Sequence, residues 1–186
     1  MKISSYVMLH HSAVSYDKNA DQFDANNKYH KAQWNFKSSM GFYLGYHYEI
    51  SKKGKIRQAR QDGEESAACY QSGMNDGRCI HICLDGSFDS EKPTPEQIYA
   101  LRDLLKKLVE KYKIVKDNIV FHREYAPKTC PGLNVEKGFI QSLAFPTVIN
   151  EQPSAPIEQP ILQINGIKNS IISKLKEIEQ LVNSLT

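Results

Sequence analysis

Residues 122–132 read HREYAPKTCPG: an imidazole, an ammonium and a thiol in a turn stiffened by Pro127 and Pro131. Each proline biases the residue before it towards extended backbone, and Lys128 and Cys130 are two residues apart, so both side chains can project to one side. His122 closes the apolar run IVFH at 119–122, which has the character of a buried strand. A strand-end histidine and a loop cysteine are a candidate pair of zinc ligands. Two ligands do not make a site, and a third has to come from elsewhere.

Outward from that turn the chain alternates strands and helices. Thr94 is placed as an N-cap, with Pro95 in the first turn and Gln97 at the capping-box position. Ile98, Leu101, Leu105, Leu108 and Tyr112 follow at helical spacing, which marks a scaffold helix. A closing helix is expected over 135–143. Residues 78–84, RCIHICL, alternate, with Cys79, His81 and Cys83 on one face. That face invites a metal reading, but side chains two apart on a strand converge poorly on a small ion, so packing is preferred.

Residues 41–50, GFYLGYHYEI, alternate as a strand, setting Tyr46 and Tyr48 on one face and His47 and Glu49 on the other. KKGK at 52–55 is a hairpin turn and 56–59 its return strand. Residues 61–78 hold DG and SG dipeptides and read as a long loop, a common place for binding function. Residues 17–40 suggest a helix followed by a loop, with His30 a surface or packing residue. Residues 6–9 are apolar and run into His10 and His11; neighbouring strand residues face opposite sides, so one histidine can enter a site while the other faces away.

Length and composition allow one domain plus an appendage: 186 residues, 40% hydrophobic. The expected division is a catalytic domain over 1–145, a Pro-rich linker over 146–160 and an amphipathic helix over 161–186. In the last segment Ile164, Ile171, Ile178 and Leu185 recur every seven residues, with Ile161, Lys168, Leu175 and Val182 three residues before each. That seam makes the segment a candidate for self-association or for docking on its own domain. The net charge is +3, and the part before residue 146 carries 21 basic against 17 acidic residues, too weak a surplus to argue for nucleic acid. No stretch has the length to span a bilayer, and the N-terminus lacks a signal peptide's long apolar segment, so synthesis in the cytoplasm is expected. Reduced thiols are the default there, with a Cys69–Cys79 disulfide left open.

The order LHHSA, GYHYEI with its KKGK turn, ICLDG, TPEQIYALRDLL and FHREYAPKTCPG resembles the zinc-dependent N-acetylmuramoyl-L-alanine amidases of the phage lysozyme and peptidoglycan-recognition type, with a likeness to the small amidase endolysins of T7-like phages. The resemblance covers about residues 4–143. It implies an α/β fold, a central mixed β-sheet flanked by helices. It also implies Zn2+ held by His10, His122 and Cys130, with Tyr46 and Lys128 catalytic and the muramoyl stem peptide of peptidoglycan as substrate. The wall would then be reached after the membrane is opened. Two departures stand out: Cys69 and Tyr70 occupy a loop where such proteins commonly have a histidine, and His81 replaces a glycine often found in the ICLDG strand.

Two rival functions use the same residues. Cys130 as a nucleophile with His122 as base would make a cysteine amidase or peptidase, but would leave His10 and Tyr46 without roles. A recognition protein would bind peptidoglycan without cutting it. Such relatives usually lose a metal ligand, whereas Cys130 is present.

Overall fold

A computed structural model describes residues 4–15, 21–71 and 73–146, together with Lys174. Five strands form one mixed sheet in the order β3-β2-β4-β1-β5, with β1 Tyr6–His11, β2 Tyr48–Ile50, β3 Ile56–Gln58, β4 Cys79–Leu84 and β5 Ile119–Phe121. β1 is parallel to β4 and β5, β2 is parallel to β4, and the β2–β3 hairpin over the KKGK turn is antiparallel. Three helices flank it: α1 Phe23–Trp34, α2 Pro95–Tyr112 and α3 Lys137–Ala144. This is the expected α/β architecture.

The register divides the sheet into two unlike faces. Val7 pairs with Ile80 and Ile119, and Leu9 with Ile82 and Phe121, so one face is a continuous apolar surface. Leu101, Leu104, Leu105 and Leu108 of α2 and Ile140 of α3 cover it and complete the main core. α2 starts where the sequence places it: Thr94 Oγ1 accepts from Gln97 N at 3.1 Å and Gln97 Oε1 accepts from Thr94 N at 3.1 Å. Such a cap contributes about 1 kcal/mol. α3 begins two residues later than expected, at Lys137.

The opposite face carries polar and sulfur groups. His10 and Glu49 both pair with Cys83, and Met8 with His81, so alternation turns these side chains to the same side. α1 is fastened there by polar contacts as well as by Phe23: Asn26 Nδ2 donates to Glu49 Oε2 at 3.0 Å, and just before the helix Gln22 N donates to Asp85 Oδ2 at 3.2 Å. Burial, with the Asp85 charge beside it, pushes the Glu49 carboxyl up to about 9. Burial raises Asp85 too, against the Gln22 N–H bond. Among the described residues Glu49 Oε1 and Asp85 Oδ1 are both buried without a donor, and a proton on Glu49 removes one of the two like charges.

A raised folded-state pKa stabilises below the unfolded value, and that contribution is lost as pH rises through the folded one. The contribution of this carboxyl to thermal stability is therefore expected to fall as pH rises from its ordinary value of 4.5 through the Glu49 value of about 9. Glu49→Gln, which keeps a donor at all pH values, should flatten that decline in melting temperature against pH; an unchanged slope would show that the pair holds no proton.

Two expectations are corrected, the length of one strand and the face of Tyr46. The strand expected over 41–50 is three residues long, starting at Tyr48, because the chain is bent through 45–47. Gly45 sits where a Cβ would lie 3.0 Å from the Trp34 ring and 3.2 Å from the Ala67 carbonyl oxygen. Tyr46 therefore does not share the face of Tyr48, which joins the main core while Tyr46 packs with Phe23, Leu44 and Ala59. All four cysteines are free, Cys69 and Cys79 included. His30 is buried and its Nδ1 accepts from Gly45 N at 2.9 Å, which makes it a packing residue. Apart from Pro146 and Lys174, the linker and the heptad segment expected over 146–160 and 161–186 lie outside the described residues.

Candidate active site

Three elements deliver three donor atoms to one point. β1 carries His10 one residue before its end, β5 passes into a tight turn at His122, and the following loop brings in Cys130; one donor atom from each lies within 4.8 Å of the others. His10 Nδ1 is 3.7 Å from Cys130 Sγ, and the His10 and His122 ring centres are 4.6 Å apart. His11 faces the other way, as alternation requires, and its Nδ1 accepts from Phe88 N at 3.1 Å.

The loop that carries Lys128 and Cys130 is held from both sides. Arg123 N donates to the Cys130 carbonyl at 2.7 Å, and its guanidinium donates to Gly132 O at 2.8 Å and Val135 O at 3.0 Å. Asp89 accepts from Thr129 Oγ1 at 2.8 Å and from Leu133 N at 3.0 Å. Gly132 has φ +107, and a Cβ there would come within 2.5 Å of the Phe88 carbonyl carbon, so a side chain would push the loop off the site.

Burial dominates the electrostatics. It drives His10 well below the ordinary imidazole value, with His81, His122, His11 and Lys128 adding to the fall. His122 is pulled down to about 4 by burial and then by Lys128. The Cys130 thiol is pushed up to about 11 by burial, against the His11 backbone N–H and the Lys128 charge. Both imidazoles are neutral and have lone pairs to offer.

Tyr46 and Lys128 border the same point. The Tyr46 ring centre is 5.1 Å from that of His10, and burial keeps its hydroxyl protonated far above the ordinary range. Lys128 is exposed on the other rim. His122, Cys130, Tyr46 and Lys128 open into a cleft of about 730 Å³, whose far wall carries Trp34, Phe36 and Tyr70. His10 lies beneath the floor, 1% exposed.

Three supporting residues were not legible as such. His81, read as packing, has its Nδ1 2.9 Å from His10 Nε2. Arg60, fully buried, donates to the carbonyls of Leu44, Glu65 and Phe36 at 2.7, 3.0 and 2.7 Å and so pins the cleft wall. Asn75 Oδ1 gathers Ser66 Oγ, Ala68 N and Cys69 N at 2.7, 3.2 and 3.0 Å, giving the cleft loop a fixed shape.

A parallel-centred sheet with helices on its apolar face thus carries a His, His, Cys cluster beneath an open cleft, the arrangement of a candidate metal centre. Residues 1–133 match the family model of N-acetylmuramoyl-L-alanine amidase, and the chain belongs to that family. The Endolysin of Escherichia phage T7 is 31% identical over 99 residues, covering 50% of this chain and 62% of that protein. Peptidoglycan-recognition protein SD of Drosophila simulans is 28% identical over 90 residues, 48% of this chain and 47% of that protein. In both, the match spans less than two thirds of the relative's own length. Among solved structures, the N-acetylmuramoyl-L-alanine amidase LysC from Clostridium intestinale URNW superposes with a TM-score of 0.61 at 25% identity, covering 75% of this chain and 84% of that one.

Proposed function

We propose that the chain hydrolyses the amide between N-acetylmuramic acid and L-alanine in peptidoglycan, using zinc held by His10, His122 and Cys130. The observation that carries this is the convergence of those three donors beneath a cleft that also holds Tyr46 and Lys128. The donor set fits the ion. Two Zn–N bonds of about 2.0–2.1 Å and one Zn–S bond of about 2.3 Å, arranged tetrahedrally, need donors roughly 3.3–3.6 Å apart. His10 Nδ1 and Cys130 Sγ already stand at 3.7 Å. Three protein ligands with one face open to the cleft is the pattern of catalytic and not structural zinc.

Bound zinc supplies Lewis acidity towards the scissile carbonyl and lowers the pKa of water to about 7. The protein's own groups do the rest. The Lys128 ammonium presents a fixed cation to the carbonyl oxygen as that oxygen gains negative charge. The Tyr46 hydroxyl, held protonated by its surroundings, donates a hydrogen bond to the same oxygen or passes a proton towards the leaving amine. The cleft, about 730 Å³ in volume, offers Trp34, Phe36 and Tyr70 as aromatic surfaces for a bound substrate.

The thiol-nucleophile reading is disfavoured by the site itself. A Cys130 nucleophile with His122 as its base would leave His10, whose Nδ1 stands 3.7 Å from the sulfur, without a role. The match to the phage T7 Endolysin supports a lytic role on the wall.

Masses of the fragments released from purified peptidoglycan test the assignment of the bond. Free L-alanine amino termini should appear without new reducing sugars. New reducing ends with no free L-alanine termini would mean that a glycosidic bond is cut, and binding without any release would leave recognition as the function.

A further inference from the structure

The proposed reaction gives His81 no task, although its ring is fully buried and bonded to a candidate ligand.

Hydrogen-bond bookkeeping assigns the protons. His81 Nε2 is 2.7 Å from the Met74 carbonyl oxygen, and a carbonyl can only accept, so Nε2 carries a hydrogen. Complete burial keeps the His81 ring neutral, which leaves Nδ1 as an acceptor. That acceptor is 2.9 Å from His10 Nε2, so Nε2 of His10 must be the donor. His10 is therefore protonated on Nε2, and the free lone pair sits on Nδ1, the nitrogen 3.7 Å from Cys130 Sγ.

We infer that His81 is a positioning residue: it locks His10 in the tautomer that can ligate a metal through Nδ1 and fixes the rotation of the ring. The consequence for zinc rests on the metal reading above, whereas the tautomer assignment does not.

The lock is itself anchored. The Met74 carbonyl belongs to the loop organised by Asn75, and Met74 N donates to Gln71 O at 3.0 Å. From the other side, His81 N donates to His47 Nδ1 at 3.1 Å, and His47 Nε2 donates to the Glu64 carbonyl at 3.0 Å. The two rings lie nearly parallel, with centres 5.8 Å apart and 11° between planes. A glycine in place of His81 would offer His10 Nε2 no acceptor and would leave both tautomers open. In the wrong one, Nδ1 carries a hydrogen that must move before a metal can bind.

The test uses the full 186-residue chain, labelled with 15N at histidine and stripped of metal. Long-range proton–nitrogen spectra at neutral pH should show His10 and His81 both protonated at Nε2. His81→Phe should give mixed His10 tautomers and weaken zinc binding, read by competition with a chelating dye, about 10- to 100-fold. His81→Asn, whose Oδ1 stands near the place of Nδ1, should recover part of both. Finding wild-type His10 protonated at Nδ1 overturns the inference, as does a folded His81→Phe that holds zinc as tightly as the wild type. If His81→Phe does not fold, the wild-type spectra and the Asn variant still decide. A wild type that takes up no zinc overturns the metal reading instead, and the spectra alone then judge the lock.

Discussion

Cys130→Ala is expected to leave a folded protein whose peptidoglycan hydrolysis is at background, while Cys130→Asp retains zinc and measurable turnover. Alanine leaves two imidazoles, and two neutral ligands do not hold zinc in an open catalytic site. The Lewis acidity lost is worth several kcal/mol, which at about 1.4 kcal/mol per tenfold is a fall of roughly 10⁴-fold or more. A carboxylate oxygen binds zinc at about 2.0–2.2 Å, close to the sulfur's reach of about 2.3 Å, so aspartate can restore the third bond. A thiol nucleophile has no such substitute. Rates and zinc content of the two variants separate the mechanisms: equal inactivity with zinc still bound in both would favour the thiol. Folding should survive, because the loop is held by Arg123 and Asp89 and not by the sulfur.

Tyr46→Phe and Lys128→Ala should each lower kcat by about a hundred- to thousand-fold while zinc content stays at the wild-type level. In the proposed mechanism both groups act where charge develops, and neither contributes a donor atom to the His10, His122 and Cys130 cluster. Phenylalanine preserves the ring packing against His10 and His30 and removes only the hydroxyl. Steady-state kinetics beside metal analysis distinguish this from a structural effect: a parallel loss of zinc would make Tyr46 or Lys128 a support of the metal centre. His11→Ala should be milder, since the imidazole serves the Phe88 backbone and faces away from His10.

Much of the frame was legible because local rules govern it. β1 is regular through both of its histidines, so alternation set His10 and His11 on opposite sides, and the resemblance chose between them. The capping box at Thr94 and the hairpin at KKGK are likewise short-range signals. The turn from His122 to Cys130 announced its donors through chemistry and spacing, and the third donor came from the resemblance. What failed was long-range. The role of His81 depends on a strand pairing that sets Met8 opposite it and so brings its ring diagonally onto His10, 71 residues away in sequence. Alternation in 79–84 shows only that Cys79, His81 and Cys83 share a face. Tyr46 reached the site because the chain bends at Gly45, where Trp34 and Ala67 press against the backbone, and that contact has no trace in the period-2 pattern. Arg60 gave no signal either, since its three carbonyl partners lie in loops.

The most direct measurement is the activity of metal-stripped, full-length protein on peptidoglycan as zinc is added back. A catalytic zinc at His10, His122 and Cys130 predicts negligible activity after stripping and recovery that saturates at one zinc per chain. Full activity after stripping, with inactivation only on alkylation of the thiol, would contradict it.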